Sequence, residues 1–337
     1  MRYWRFDKHP EEMIDSDTLS LQEAPKPKIG RGEVLLRNLY VSMDATNRLW
    51  LGKRKELYIE PLSLGDTMKG FTLSVVEESD NPAFAPGQIV TWLGEWADYS
   101  VSNGLDLIPF SAPADVPLAD AFGVLNIAGP TAYYGLLEIG QPRPGETVVV
   151  TAASGAVGSL TGQIAKLAGC RVVGTAGSDE KCRRLIEEFG FDAAINYKQP
   201  DFADKLAAAC PHGIDIQFEN VGGEILDHCL TLMNNGGRVV ICGLISMYNS
   251  EQNVPGPYMF HNTIMKRLKI EGFVILDHMQ DFPKMQHHLA QWMSEGKLNY
   301  RLEVIDGLEH AVDALNSLYT GSNDGKVMIK VGPEPSR

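Results

Sequence analysis

From Thr147 the chain reads "TVVVTAASGAVGSLTGQIAKLAG": an apolar strand, a turn of small residues, then a helix with apolar side chains at helical spacing. The turn, Ala153-x-Gly155-x-x-Gly158, is the G-x-G-x-x-G pattern with alanine in the first place. Small residues are needed there for physical reasons. The turn must be tight, the backbone must approach a diphosphate, and the helix N-terminus must offer its unpaired N–H groups to the anion, while Gly158 lets helix and strand pack. Ser154 adds a hydroxyl donor. With the strand "RVVGTA" that follows, this order predicts a dinucleotide-binding βαβ unit.

The rhythm continues after the turn. "RVVGTA", "AAIN", "IDIQFEN" and "GRVVICG" read as strands, and "DEKCRRLIEEFG", "FADKLAAAC" and "GEILDHCLTLM" as helices. Nearly continuous apolar strands alternating with helices predict a parallel sheet covered on both faces. The first 120 or so residues differ. There "EVLLRNLYVS", "FTLSVVEES" and "QIVTWLGEWADYSV" are β-branched and aromatic runs between Gly, Pro and Asn-Pro breaks. After "LKIEGFVI" and a further helix, the tail reads strand, helix, strand, and it can return to the first domain.

A net charge of −13 leaves no broad basic face for nucleic acid or an anionic membrane. No run of about 18 apolar residues occurs, and the N-terminus "MRYWRFDKHPEE" lacks an apolar signal core, so a cytoplasmic protein is expected. The five cysteines are odd in number and widely spaced, which suggests neither a disulfide framework nor a zinc lobe. His287 and His288 are adjacent on a helix and diverge, so no metal is expected there.

The end of the second strand selects the cofactor. In "VVGTAGSDEK" an Asp or Glu to hold a ribose hydroxyl is missing, and Ala176 and Gly177 stand in its place. Lys181 follows at the start of the next helix, within reach of a 2′-phosphate. Gly177 and Ser178 leave room and offer backbone N–H groups. Tyr197, in "INYK", either covers that pocket or is a plain surface aromatic. NADPH rather than NADH is expected.

The stretches "LYVSMDATNR", "GPTAYYGLLEIGQPRPGETVVVTAASGAVGS", "GSDEKCRRLIEEFGFDAAINYK", "GIDIQFENVGGEILD", "CGLISMYN", "RLKIEGFVI" and "GKVMIKV" together resemble the medium-chain dehydrogenase/reductase superfamily. They are most similar to its zinc-independent branch of leukotriene B4 dehydrogenases, prostaglandin reductases and alkenal or curcumin reductases. The resemblance implies an α/β protein. A β-rich, GroES-like catalytic domain would span 1–125, completed by 300–337, and a doubly wound Rossmann domain 126–299. It further implies NADPH-dependent reduction of the C=C bond of α,β-unsaturated ketones and aldehydes by a homodimer.

Carried over by position, the resemblance puts the diphosphate on Gly155, Ala156, Val157 and Gly158, with Ser154, and the 2′-phosphate at Gly177, Lys181 and Tyr197. Asn220 and Cys242 would line the groove. Thr131, Phe273, Val274, Ile275 and Asn323 would surround the nicotinamide. Taken alone, Phe273 to Ile275 read as strand core, Cys242 as a buried thiol and Asn323 as a turn residue. Many relatives have "DPYMR" where this chain has Asp44-Ala45-Thr46-Asn47-Arg48, so Thr46 replaces a Tyr that touches substrate; Met265 also stands where some have Tyr.

Zinc dehydrogenases of the superfamily use a catalytic Cys, a His-Glu pair and another Cys. The corresponding "LGDTMKGFTLS" has neither His nor Glu, and no Cys precedes Cys170. The expected chemistry is therefore metal-free conjugate addition. Hydride reaches the β-carbon, charge develops on the carbonyl oxygen, and donors aimed at that oxygen stabilise it. Tyr248 and Tyr58 are the candidate donors, with Tyr258 a third. Asn47 and Arg48 are candidates for fixing substrate, though Arg48 also reads as a structural ion-pair partner. Two other functions fit the same residues: a quinone oxidoreductase, and a non-catalytic NADPH-binding protein.

Overall fold

Val34, Leu35, Leu36 and Leu39 are wholly buried because the strand they form is covered on both sides. The computed structural model describes residues 1–53, 57–249 and 254–335. The chain divides into two units. The first comprises Met1–Gly123, Tyr248–Glu251 and Leu302–Arg337, the second Val124–Met247 and Gln252–Arg301. Asn249 stands with the first unit because its amide donates to Met13 Sδ at 3.5 Å.

The first unit opens with an antiparallel ribbon of β1 (Arg2–Phe6) and β2 (Leu19–Glu23). β3 (Val34–Ser42), β4 (Lys69–Ser79), β5 (Ile89–Glu95), β6 (Tyr99–Ser102) and β7 (Ile108–Pro109) follow as antiparallel neighbours, then α1 (Leu118–Leu125), within which the unit boundary falls. "QIVTWLGEWADYSV" is not one strand. At the fully buried Trp96 the chain leaves β4 for β1, where Trp4 N–H donates to Trp96 O at 2.9 Å and Asp98 N–H to Arg2 O at 2.9 Å. That long-range pairing leaves no local signature.

The second unit runs through α2 (Ala128–Tyr133), a π-helical turn (Tyr134–Gly140), β8 (Thr147–Val150), α3 (Ala156–Leu167), β9 (Arg171–Ala176) and α4 (Asp179–Glu187). β10 (Ala193–Asn196), α5 (Phe202–Ala209), β11 (Ile214–Glu219), α6 (Gly223–Leu232) and β12 (Met233–Ile241) come next. α7 (Asn262–Met265), β13 (Lys269–Gly272) and α8 (Phe282–Ser294) complete it. The six strands are parallel, in the order β10-β9-β8-β11-β12-β13. Val148, Val149 and Val150 have no exposed surface, as a central strand under helices on both faces requires. The order reverses between β8 and β11, and in such sheets ligands bind at the carboxyl ends of those strands.

The tail then rejoins the first unit as β14 (Leu302–Asp306), α9 (Ala311–Thr320) and β15 (Lys326–Lys330). β15 pairs with β14 in parallel and with β3 antiparallel, extending that sheet, while Ala311, Ala314 and Leu315 of α9 join a core with Phe6, Trp50 and Leu51. Among the described residues no helix is long and apolar enough to cross a membrane.

Candidate functional site

Past Val150 the chain makes the small-residue turn at the switch point. Ala152 takes the left-handed conformation (φ 47°), uncommon for a residue with a side chain, and Gly155 then caps α3 in extended geometry (φ −79°, ψ 174°). No side chain caps this helix, so the amides of Ala156, Val157 and Gly158 are the donors an anion would meet. A β-carbon on Gly158 would lie 2.5 Å from Ala152 O and 2.8 Å from Ala153 Cα. Both obstacles are backbone, so glycine is obligatory. Alanine fits the first place because Gly174 faces it: a β-carbon there would sit 2.9 Å from Ala153 Cβ. The turn is thus a cradle of small residues with no side chain capping the helix, half open at Ser154 to Val157, and it fits a diphosphate.

The second part of the site lies where β9 ends. Ala176 is buried and Gly177 follows. A β-carbon on Gly177 would meet Tyr197 Oη at 3.2 Å and Lys198 Cε at 3.4 Å, so the structure brings Gly177, Tyr197 and Lys198 together. Tyr197 is held there by its N–H donating to Ala176 O at 3.1 Å. Ser178 caps α4, its hydroxyl accepting from Lys181 N–H at 3.2 Å, which fixes the backbone from which the Lys181 side chain leaves. The "KCRR" cluster divides. Arg183 and Arg184 pair with Glu180 at 2.8 and 2.9 Å on the outer face of the helix. Lys198, in "INYK", reaches Gly177 because β10 lies beside β9, a neighbourhood that the sequence does not show.

Between the two turns stands a buried polar cluster. Asn220 N–H donates to Thr151 Oγ1 at 2.7 Å, and its side-chain amide to Thr151 O at 2.7 Å. Thr151 Oγ1 in turn donates to Glu219 at 3.0 Å. Neither Thr151 nor Glu219 stood out in the sequence, since each reads as the polar end of an apolar strand. Cys242 N–H donates to Glu219 O at 2.9 Å, and burial pushes the Cys242 thiol up to about 12. Thr131 spends its hydroxyl on Ile127 O at 2.7 Å. Phe273 and Val274 lie just past β13, half-buried, so they are not strand core, and Ile275 is buried. The Phe273 ring fills the space beside Gly135, where a β-carbon would come within 2.8 Å of it.

The remaining candidates belong to the first unit. Asn47 and Arg48 are not placed to hold a substrate. Asn47 has no exposed surface; its side chain accepts from Asp44 N–H at 2.8 Å. Arg48 is 1% exposed, and its guanidinium donates to Glu12 O and Pro10 O, both at 3.2 Å. Both residues anchor the 3-10 helix Ala45–Leu51. Lys326 anchors it from below, Nζ donating to Met43 O at 2.9 Å and Asp44 Oδ1 at 2.6 Å. On the outer side of this segment the Thr46 and Tyr58 hydroxyls are hydrogen-bonded to each other, with Tyr58 half exposed. Tyr248 is partly buried within electrostatic reach of Tyr319, whose own hydroxyl donates to Ala45 O. Asn323 donates to Gly325 O at 3.1 Å and so holds its own turn. Tyr258, the third tyrosine considered, is 78% exposed on the second unit.

A doubly wound nucleotide domain following a β-rich unit that the tail completes defines a two-domain nicotinamide oxidoreductase. Residues 2–110 match the family profile described as N-terminal domain of oxidoreductase, and residues 156–291 that described as zinc-binding dehydrogenase. Among the described residues no three His, Cys, Asp or Glu side chains gather as a metal site. The chain is 42% identical to the NADPH-dependent curcumin reductase of Escherichia coli, over 98% of this chain and 96% of the other. It is 41% identical to the NADP(+)-dependent 2-alkenal reductase of Nicotiana tabacum, over 90% and 89%. CurA from Vibrio vulnificus, solved with NADPH, superposes with a TM-score of 0.92 at 38% identity, covering 99% of this chain and 100% of that one. The chain belongs to the medium-chain dehydrogenase/reductase superfamily, in its zinc-independent group of curcumin, 2-alkenal and prostaglandin reductases.

Proposed function

We propose that this protein is an NADPH-dependent reductase of the C=C bond in α,β-unsaturated ketones and aldehydes. The observation that carries the substrate class is the similarity, along nearly the whole chain, to reductases named for curcumin and for 2-alkenals. The end of β9 supports the choice of NADPH, since Ala176 and Gly177 stand where an acid would repel a 2′-phosphate, and Tyr197 and Lys198 lie beside Gly177.

NADPH, when bound, supplies the hydride that adds to the substrate's β-carbon. The chain's own work is to bind and to orient. The α3 amides and the glycine cradle hold the diphosphate, and Gly177, Lys181, Tyr197 and Lys198 hold the 2′-phosphate. Asn220, Cys242, Thr131, Phe273, Val274 and Ile275, all of the second unit, are assigned to the nicotinamide end. As hydride arrives, negative charge develops on the substrate carbonyl oxygen, and a hydroxyl aimed there stabilises it before the α-carbon is protonated. Tyr58, paired with Thr46, and Tyr248 are the hydroxyls assigned to that task.

The test is nicotinamide absorbance with purified protein, a 2-alkenal or an enone, and NADPH or NADH in parallel. Rapid loss of NADPH with a saturated carbonyl as product is expected. An allylic alcohol as product, or turnover of quinones alone, would sink the proposal.

The working form is a homodimer. Tyr258, Phe260, Ile264 and Met265 are 78, 56, 74 and 60% exposed, and β13 is the last strand of its sheet, so both features offer a second copy something to cover. Light scattering on the native protein should give twice the 37.0 kDa chain mass, and Ile264→Asp should lower it. A cytoplasmic setting is supported by five cysteines that are all unpaired.

A further inference from the structure

We infer that Glu219 is a positioning residue: its buried carboxyl ties the turn after β8 to the turn after β11, and so presets the crevice that the nucleotide enters. This rests on the nucleotide reading above. Glu219 is the last residue of β11 and has no exposed surface. Its Oε1 accepts from Val221 N–H at 2.6 Å, from Gly222 N–H at 2.7 Å and from the Thr151 hydroxyl at 3.0 Å. Its Oε2 accepts from the Gln217 amide. Thr151 is the first residue past β8, and through its hydroxyl and carbonyl it also holds Asn220. One side chain therefore fastens both strand ends at the point where strand order reverses.

The fastened segment needs an anchor. Gly222 and Gly223 both take positive φ, 83° and 60°, conformations that glycine leaves as readily as it enters. Three of the four donors to Glu219 come from the two turns and one from its own strand. None is a cation.

The acceptor geometry also says what kind of group the site wants. Gln217 Oε1 is buried with no hydrogen-bond partner, although its amide nitrogen faces Glu219. The oxygen and nitrogen of such an amide are interchangeable in placement. If the Glu219 carboxyl carries a proton on Oε2 and the amide is turned, that proton is donated to Gln217 Oε1, and the Gln217 amide nitrogen takes the position in which the oxygen has no partner. The site then holds a neutral group that accepts three hydrogen bonds on one atom and donates one from the other. Glutamine at 219 has the same pattern, because its Nε2 would donate to the turned Gln217. Alanine has none of it.

The experiment uses the full chain and two readouts made without substrate: the dissociation constant of NADPH, and hydrogen exchange of the Val221 and Gly222 amides in the nucleotide-free protein. Glu219→Gln should stay within about threefold of the parent in both. Glu219→Ala should raise the dissociation constant by about tenfold or more and speed exchange at both amides by a similar factor. Should Glu219→Ala fail to fold, Thr151→Val removes one bridging hydroxyl and should weaken NADPH by about threefold or more, with Thr151→Ser restoring it. Unchanged exchange and affinity in Glu219→Ala or Thr151→Val overturns the clamp, as does Glu219→Gln behaving like alanine. A parent protein that binds no NADPH overturns the nucleotide reading instead, and the exchange data tell the two failures apart.

Discussion

The hydroxyl of Tyr197 lies 3.2 Å from the point where a β-carbon on Gly177 would stand, and the Lys198 side chain lies 3.4 Å from the same point. The relationship sets Gly177 beside a phenol and an ammonium stem at the end of β9. Both neighbours are ends of flexible side chains rather than backbone, and the φ of Gly177 is not in the left-handed region. A side chain can therefore be added there without breaking the fold, which makes the chemistry there separable from the architecture.

Gly177→Asp places a carboxylate where the 2′-phosphate is proposed to sit. The like charges repel, and the carboxylate can accept from a ribose hydroxyl instead. The ratio of kcat/KM for NADPH to that for NADH should fall by about 100-fold, through loss of NADPH and not through loss of turnover. An unchanged ratio would mean that the 2′-phosphate lies elsewhere.

Lys198→Ala and Lys181→Ala should each raise KM for NADPH by about tenfold while leaving KM for NADH within about twofold, because each removes a charge-assisted contact to one phosphate. kcat should hold, since neither side chain is assigned to the reacting atoms. Added salt should weaken NADPH more than NADH in the parent protein and less so in the double variant. If Lys198→Ala affects both cofactors equally, its place beside Tyr197 is only structural.

The parts legible in the sequence were those written in local pattern. The strand, turn and helix at Thr147 to Leu167 are fixed by a short-range need for small residues, and the alternation after them by burial on two faces. Lys181 was named from the missing acid at Ala176 and Gly177, an assignment that the variants above test. Lys198 was not, for its nearness to Gly177 follows from β10 lying beside β9. The misreadings came from long-range partners. Arg48 read equally as a substrate contact and as a structural ion-pair partner, and its guanidinium donates to the carbonyls of Pro10 and Glu12, which are distant in sequence. The break at Trp96 is likewise decided by β1, ninety residues away on the chain. Glu219 sits in a run of apolar strand residues, where only the fold reveals four donors converging on it.

Lys326→Met tests the support of the 3-10 helix that carries Thr46. The Lys326 side chain is 8% exposed, and removing it leaves the Asp44 carboxylate, 19% exposed, without its cation. Breaking a buried pair this way costs about 3–5 kcal/mol. The melting temperature should fall clearly, and Asp44→Asn added to Lys326→Met should recover part of the loss, since no uncompensated charge then remains. Additive losses in the double variant would show that the pair is not coupled.

The thiols give a pH dependence with a definite sign. Burial pushes Cys170, Cys182 and Cys210 up to about 11 and Cys242 to about 12, from an ordinary value of 9.0, and raises Cys229 as well. Between the ordinary and the raised values the folded chain holds thiol protons that the unfolded chain has released. Stability from these groups is thus complete below about pH 8 and is lost as pH rises through 9 to 11. Thermal unfolding should show a melting temperature that declines across that window, with a shallower decline in Cys210→Ala. Cys170, Cys182, Cys210 and Cys229 are buried and Cys242 is half-buried with its thiol held protonated, which has a consequence for the chemistry, because enones and 2-alkenals alkylate thiolates. Native protein at neutral pH should react slowly with N-ethylmaleimide, whereas denatured protein should titrate all five thiols. Incubation with a 2-alkenal in the absence of NADPH should leave activity intact. Rapid labelling of native protein at pH 7, with matching loss of activity, would show that at least one of these cysteines is open to the substrate.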